Sequence, residues 1–340
     1  MLSVNGFYGH VRRNEMRALC IFAGFLIAFQ IVAAAALALP LAFFDLFHFP
    51  FLYPLSYLGK YGAPILIIEL LVFLGQFLLF TSMVQTSIHF RFISSIDHCR
   101  LHKIVQNLSI TAGIKTPRIA MIDSEQCNAF ACGTDYDNAV IVVTRGLLEI
   151  LDDEELATVM AHEIVHIRDG DIVLMACANI MVSNISLLSR FRIIKMFHKG
   201  CLIAMLIFPL FLYFIFFQEG AMKIGDNIGR FCRSFVGKSR EFVADAEAVR
   251  LTHNPAALIS ALRKIQGRSD VETAQDMIES MMIDGHSDGP DATHPTIEER
   301  IAAITKLSGS MALDPRQRRD NRPIEDVKKH RIVGFGKRGL

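Results

Sequence analysis

Between Ala18 and Phe44 the chain carries no charged residue, and the run LCIFAGFLIAFQIVAAAALALPLAFF exceeds the roughly 20 apolar residues that take a helix across a bilayer. Such a segment is incompatible with a single water-soluble globule and predicts a transmembrane helix. It is also longer than the apolar core of about 7 to 15 residues in a cleaved signal peptide, so it reads as a retained anchor. A second apolar run, Tyr61 to Gln85, broken by Glu69 and Gln76, predicts the return span, with Glu69 near its loop end reaching for the headgroups. Arg12, Arg13 and Arg17 precede the first run, only Asp45 and Lys60 lie between the runs, and Arg91, Arg100 and Lys103 follow. This bias places the N-terminus and everything after Gln85 in the cytoplasm.

Two more apolar runs, 172–189 and 200–218, follow later. Their connecting loop holds Arg190, Arg192, Lys195 and Lys199, which opposes the positive-inside pattern if that loop is external. Two arrangements are therefore open, a spanning hairpin or a pair of helices in the cytoplasmic interface. The apolarity of LIAMLIFPLFLYFIFF favours the hairpin, for about four transmembrane helices in all. The 35 Lys and Arg against 34 Asp and Glu leave a net charge of +1, too little for a nucleic-acid-binding field. Seven scattered cysteines, an odd number with no CxxC pair, suggest a reducing compartment.

The polar stretch 86–171 reads as a helix ending at Gly113, then three short strands at 118–122, 127–132 and 138–144, the last two paired as a hairpin. Asp152, with Glu155 three residues on, forms a potential capping box for the next helix. That helix contains His162, Glu163 and His166 in the pattern HExxH. Residues i and i+4 share one helix face, so both imidazoles can bind one metal ion while Glu163 sits beside a water. Apolar Val159, Met160, Ile164, Val165 and Ile167 predict a half-buried helix. A zinc site of this type needs a third protein ligand, and spacing alone leaves Glu241, Asp245, Glu247, His253 and His294 open. Glu241 and Asp245, one turn apart in SREFVADAEAVRL, could act as ligand and supporting carboxylate.

The order of these elements resembles the HtpX-like membrane metallopeptidases, relatives of the CAAX prenyl protease. The two N-terminal runs, NAFAC, TRGLL, AHEIVH, the two inserted apolar runs, SREFVADAEA and ATHPTIEERIAAI match in sequence order over most of the chain. The resemblance implies an α+β fold, a mainly helical zincin-like domain with a small β-sheet. It implies one Zn2+ per chain held by His162, His166 and Glu241, with Glu163 as general base and Asp245 orienting a ligand histidine. It further implies an exposed edge strand at Asn128, Ala129, Phe130 and Ala131 that binds extended substrate, an oxyanion role for His294, and a supporting role for Arg300. The expected organisation is two N-terminal spans in 1–87, a cytoplasmic peptidase domain in 88–312 interrupted by the hydrophobic hairpin 172–218, and a basic tail in 313–340.

That tail carries nine basic and four acidic residues and reads as solvated and disordered, with anionic lipid as an alternative partner. Cys127 and Cys132, flanking NAFA, read as packing residues. The acidic, methionine-rich stretch between Gly267 and Thr293 reads as a loop that could cover the cleft. The implied activity is zinc-dependent cleavage of misfolded or membrane-associated proteins at the cytoplasmic face of a bacterial inner membrane. The alternatives are a dedicated CAAX-type processing protease and a non-proteolytic metal-binding scaffold. An intramembrane site is disfavoured because DDEE before the motif and RDGD after it hold the HExxH helix in water.

Overall fold

A computed structural model of the chain describes residues 22–31, 58–96, 98–190, 239–269, 281–283 and 294–312, together with 220, 223 and 227. Helix α1 is Phe22–Ile31. A π-helical turn, Leu58–Gly62, leads into α2 (Ala63–Leu78) and α3 (Phe80–Ile88), which are separated by a break at Leu79. Then come β1 (Arg91–Phe92), α4 (Cys99–Ala112), β2 (Arg118–Ile122), β3 (Ala129–Cys132) and β4 (Val140–Thr144). The helices α5 (Arg145–Ile150), α6 (Asp153–Arg168), α7 (Asp171–Arg190), α8 (Ser239–Thr252), α9 (Pro255–Ile265) and α10 (Ile297–Ala312) complete the described elements.

The sheet runs β1-β2-β4-β3. Strands β3 and β4 form the expected antiparallel pair, with Phe130 opposite Val142. Strand β2 runs parallel to β4, and β1, which the sequence reading lacks, pairs antiparallel with β2 through Phe92 and Ala120. Two residues offer too little alternation to announce a strand. Because side chains alternate across a sheet, β4 divides two cores. Ile141 and Val143, with Ile119, Ala129 and Ala131, face a core built from α4, α6, α8 and α9. Val140 and Val142, with Ala120, Ile122, Phe130 and Cys132, face Phe80, Val84 and Ile88 of α3 and Leu174, Met175 and Ala178 of α7. One face thus meets the peptidase helices and the other meets the apolar helices.

The apolar helices carry the membrane signature in part. Among the described residues one helix, Gly59–Leu78, is long and apolar enough to cross a bilayer. It exposes Ile67, Ile68, Leu71, Leu74 and Leu78, a surface that suits lipid rather than water. Residues 22–31 of the first expected span are helical, and the third run lies within α7. The remainder of the first span, the run 200–218 and the tail 313–340 lie outside the described residues. Glu69 departs from expectation. It does not reach outward but is only 4% exposed, because it sits in the middle of α2 on the side turned to other helices. Gln76 and Asn184 join α2 to α7 by reciprocal amide hydrogen bonds of 2.9 and 2.8 Å, a polar link of the kind that pins apolar helices together.

Local signals set the element boundaries. Helix α4 ends at Gly113 in the left-handed region, φ +73°, which glycine adopts without strain. Gly146 is required by a close approach instead: its N–H donates to the Ser124 carbonyl at 2.9 Å, and an added Cβ would lie 2.0 Å from the Glu125 carbonyl oxygen. Gly146→Ala should therefore destabilise the fold by about 2 to 3 kcal/mol, read as a lowered unfolding midpoint in detergent. Gly309→Ala, in α10 with nothing near its would-be Cβ, should be neutral or slightly stabilising in the same assay.

Candidate metal centre

Helix α6 begins with the expected capping box. The Asp152 carboxylate accepts from the Glu154 and Glu155 N–H groups at 3.0 and 2.9 Å, and Glu155 accepts from the Asp152 N–H at 3.0 Å. Glu155 also accepts from Ser260 at 2.7 Å and Lys264 at 2.6 Å, which ties α9 to the start of α6. These bonds hold the Glu155 carboxyl below its usual pKa although burial pushes the other way. The helix is more deeply placed than its sequence suggests, with its residues from Thr158 to Val165 all buried. Polar His162 and Glu163 therefore lie in the interior, where each needs a partner.

The two imidazoles converge, with His162 Nε2 and His166 Nε2 3.1 Å apart. Glu241 from α8 meets them: its Oε2 is 3.3 Å from His162 Nε2 and its Oε1 is 3.8 Å from His166 Nε2. A tetrahedral zinc with bonds of about 2.0 to 2.1 Å separates its ligand atoms by about 3.3 Å, so these spacings fit one ion at their common centre. Glu241 Oε2 is buried, lies close to His162 and still has no hydrogen-bond partner, as expected of an atom aimed at a cation. Among the described residues this is the group of His, Cys and carboxylate side chains that could hold a metal.

Each histidine is turned by a carboxylate behind it. His162 Nδ1 lies 3.0 Å from Asp245 Oδ1, and His166 Nδ1 lies 2.8 Å from Asp171 Oδ2. Burial acts to lower the His166 pKa, but the Glu241 charge and the Asp171 contact prevail and raise it to about 10. Asp171 was missed by sequence reasoning, where it counted only as charge after the motif. Gly170, at φ +78°, turns the chain so that the first residue of α7 points back at His166. The spacing HExxHxxxxD is the signal that could have found it.

Arg300 from α10 completes the arrangement. It is 1% exposed and grips Asp245 with two bonds, Nε to Oδ2 at 2.8 Å and Nη2 to Oδ1 at 2.7 Å. Burial would raise the Asp245 pKa, but the guanidinium holds it down to about 2. Burial raises the Glu163 carboxyl above its ordinary range despite the nearby histidines, and Glu163 Oε2 has no hydrogen-bond partner. For Glu241, burial is outweighed by the charges of His294 and His166, which keep it well below the usual carboxylate range. His294 is buried with Nδ1 3.7 Å from Glu241 Oε1.

The remaining candidates separate clearly. Glu247 is bonded to Arg168 at 3.1 Å and Arg250 at 2.7 Å, and His253 is exposed beyond the end of α8. Asn128 to Ala131 do lie at the sheet edge, but they are buried rather than exposed. The Cys127 N–H donates to the Arg268 carbonyl at 2.6 Å and the Ile283 N–H donates to the Ala129 carbonyl at 2.9 Å, so other backbone already covers part of that rim. Burial pushes the Cys127 thiol up and the Cys132 thiol up to about 12, which keeps both as packing groups.

Residues 95–308 match peptidase family M48. The chain is 30% identical over 246 residues to a "Protease HtpX homolog" of Bacteroides fragilis (strain YCH46), covering 67% of this chain and 74% of that protein. It is also 30% identical over 323 residues to a "Protease HtpX homolog" of Ligilactobacillus salivarius, covering 88% and 99%. The crystal structure of S. mikatae Ste24p aligns with a TM-score of 0.45 and 19% identity, over 79% of this chain and 64% of that one. With the family matched over most of its length and the HExxH histidines meeting a distant glutamate, this chain belongs to peptidase family M48 and is a membrane-associated zinc metallopeptidase.

Proposed function

We propose that the chain is a zinc-dependent endopeptidase that cleaves misfolded or membrane-associated proteins at the cytoplasmic face of a bacterial inner membrane, as in membrane quality control. The observation that carries this reading is the convergence of His162, His166 and Glu241 beside an intact, buried Glu163. His162, His166 and Glu241 would hold the ion, with Asp245 and Asp171 orienting the two imidazoles. When bound, the ion supplies Lewis-acid polarisation of a carbonyl and of a water molecule.

Glu163 then takes a proton from the attacking water and delivers it to the leaving amine. Burial, which raises its pKa, suits a group that must both accept and return a proton. His294 donates toward the oxygen where negative charge develops. Asn128 to Ala131, on the edge strand, pair with extended backbone, which favours unfolded chain over folded protein. The basic residues before the first span and after the second support a peptidase domain, 88–312, on the cytoplasmic side of the spans in 1–87. The hairpin 172–218 would tether that domain at its middle, and the basic 313–340 tail would lie solvated outside it.

Glu163→Gln should retain close to one zinc per chain while hydrolysis of an unfolded protein falls by about 10³-fold, and a variant that still cuts would remove Glu163 as the base. Glu241→Ala should lose zinc after dialysis, measured by elemental analysis. Full retention would discard it as a ligand. Asp171→Asn and Asp245→Asn should each weaken zinc by about 10- to 100-fold in a chelator competition, and unchanged affinity would reduce both to packing residues.

A further inference from the structure

Within the segment between α9 and α10, Met281–Ile283 returns to the sheet edge and is gripped at every residue. The Asn179 amide donates to Met281 Sδ at 3.0 Å, and the Asn128 amide donates to Met282 Sδ at 3.3 Å. The Ile283 N–H is shared between the Ala129 carbonyl at 2.9 Å and Asn128 Oδ1 at 3.1 Å. Its carbonyl accepts from Arg300 Nη1 at 2.5 Å, from the same guanidinium that holds Asp245 and lies 3.4 Å from His162 Nδ1. All three side chains are buried.

The Asn128 carbonyl accepts from the Thr144 N–H, so by the alternation of an antiparallel pair Ala129 turns its own carbonyl outward, toward whatever lies along the edge. Ile283 supplies to that edge the N–H that a substrate residue would supply, shared by Ala129 and Asn128, and gives its carbonyl to the arginine behind His162. We infer that Met281–Ile283 occupies the place of an extended peptide on this strand, so that the edge rests self-occupied and substrate enters by exchange with this segment. The inference rests on the edge strand being the substrate platform proposed above.

The energetics favour exchange over simple opening. Withdrawal of Ile283 alone strands a buried carbonyl on Ala129, costly to leave unpaired, and takes one acceptor from Arg300. A second backbone segment with its N–H and carbonyl at the same spacing relieves both at once. A folded protein cannot offer that pair, and an unfolded strand can. The aliphatic character of Ile283 further marks an apolar residue as the substrate side chain that fits this position.

The test uses the zinc-loaded, full-length Glu163→Gln chain in detergent, with a short labelled unstructured peptide rich in aliphatic residues. Hydrogen exchange of 281–283 should rise as the peptide saturates, and exchange that stays flat or slows overturns the inference. Ile283→Pro, which removes the shared N–H, should tighten peptide binding by about tenfold in fluorescence anisotropy. Unchanged or weaker binding, with zinc content and unfolding midpoint retained, also overturns it. If the proline variant does not fold, the exchange measurement on the Ile283 chain decides alone. Both readouts are of binding, so a chain that shows them yet never cuts counts against the endopeptidase reading only. A chain that cuts without them counts against self-occupancy only.

Discussion

The organisation of the peptidase domain depends on ionisable groups kept away from water. His162, Glu163, Glu241, Asp245, His294 and Arg300 are all nearly or fully buried and come from three helices, α6, α8 and α10, and the turn before α10. In a low-dielectric interior such groups persist only as mutual partners, and removal of one member of a buried pair costs about 3 to 5 kcal/mol. Arg300 against Asp245, Asp245 behind His162 and Glu241 across from both histidines are therefore positional constraints as much as chemistry. The capping box at Asp152 and the Lys264 bond to Glu155 extend the same logic to the water-facing start of α6, where a fixed helix origin sets the position of His162 about three turns on.

Against this polar centre the sheet supplies an apolar partition. Strand β4 is buried along its whole length, VIVVT, because neither of its faces meets water. Its odd and even residues belong to different cores, one made with the peptidase helices and one with α3 and α7. The metal centre and the apolar helices are thus two sides of a single layer. The amide pair Gln76 and Asn184 holds α2 against α7 on the far side of it.

What could be read from residues alone was the local part. The i, i+4 histidines, the Asp152 to Glu155 box, the Gly113 stop and the β3–β4 hairpin are all settled within a few residues of chain, and each is where its pattern places it. That Glu241 meets the two histidines was not legible by spacing, since Glu241 and Glu247 differ only by which side of α8 faces α6 and His253 lies just past the end of that helix. The fold answers by pairing Glu247 with Arg168 and Arg250 and leaving His253 exposed. The parallel alignment of β2 with β4 and the return of Ile283 to the edge depend on contacts remote in sequence, and periodicity carries no trace of them, whereas the inward turn of Asp171 depends on one glycine conformation and leaves only its five-residue spacing from His166. Glu69 was misplaced for a related reason: which side of a lipid-facing helix turns inward is decided by its neighbours, not by its distance from a loop.

The position of Asp171 has a practical side. It is the carboxylate behind His166 and also the opening residue of an apolar helix. A fragment that joined α6 directly to α8 and α10 would keep the HExxH sequence with Glu241, Asp245 and Arg300, yet discard the group that aims one of its rings. Any excised catalytic fragment that preserves the centre must carry the first turns of α7 with it, and with them Leu174, Met175 and Ala178, whose apolar side chains are covered by the sheet and α3.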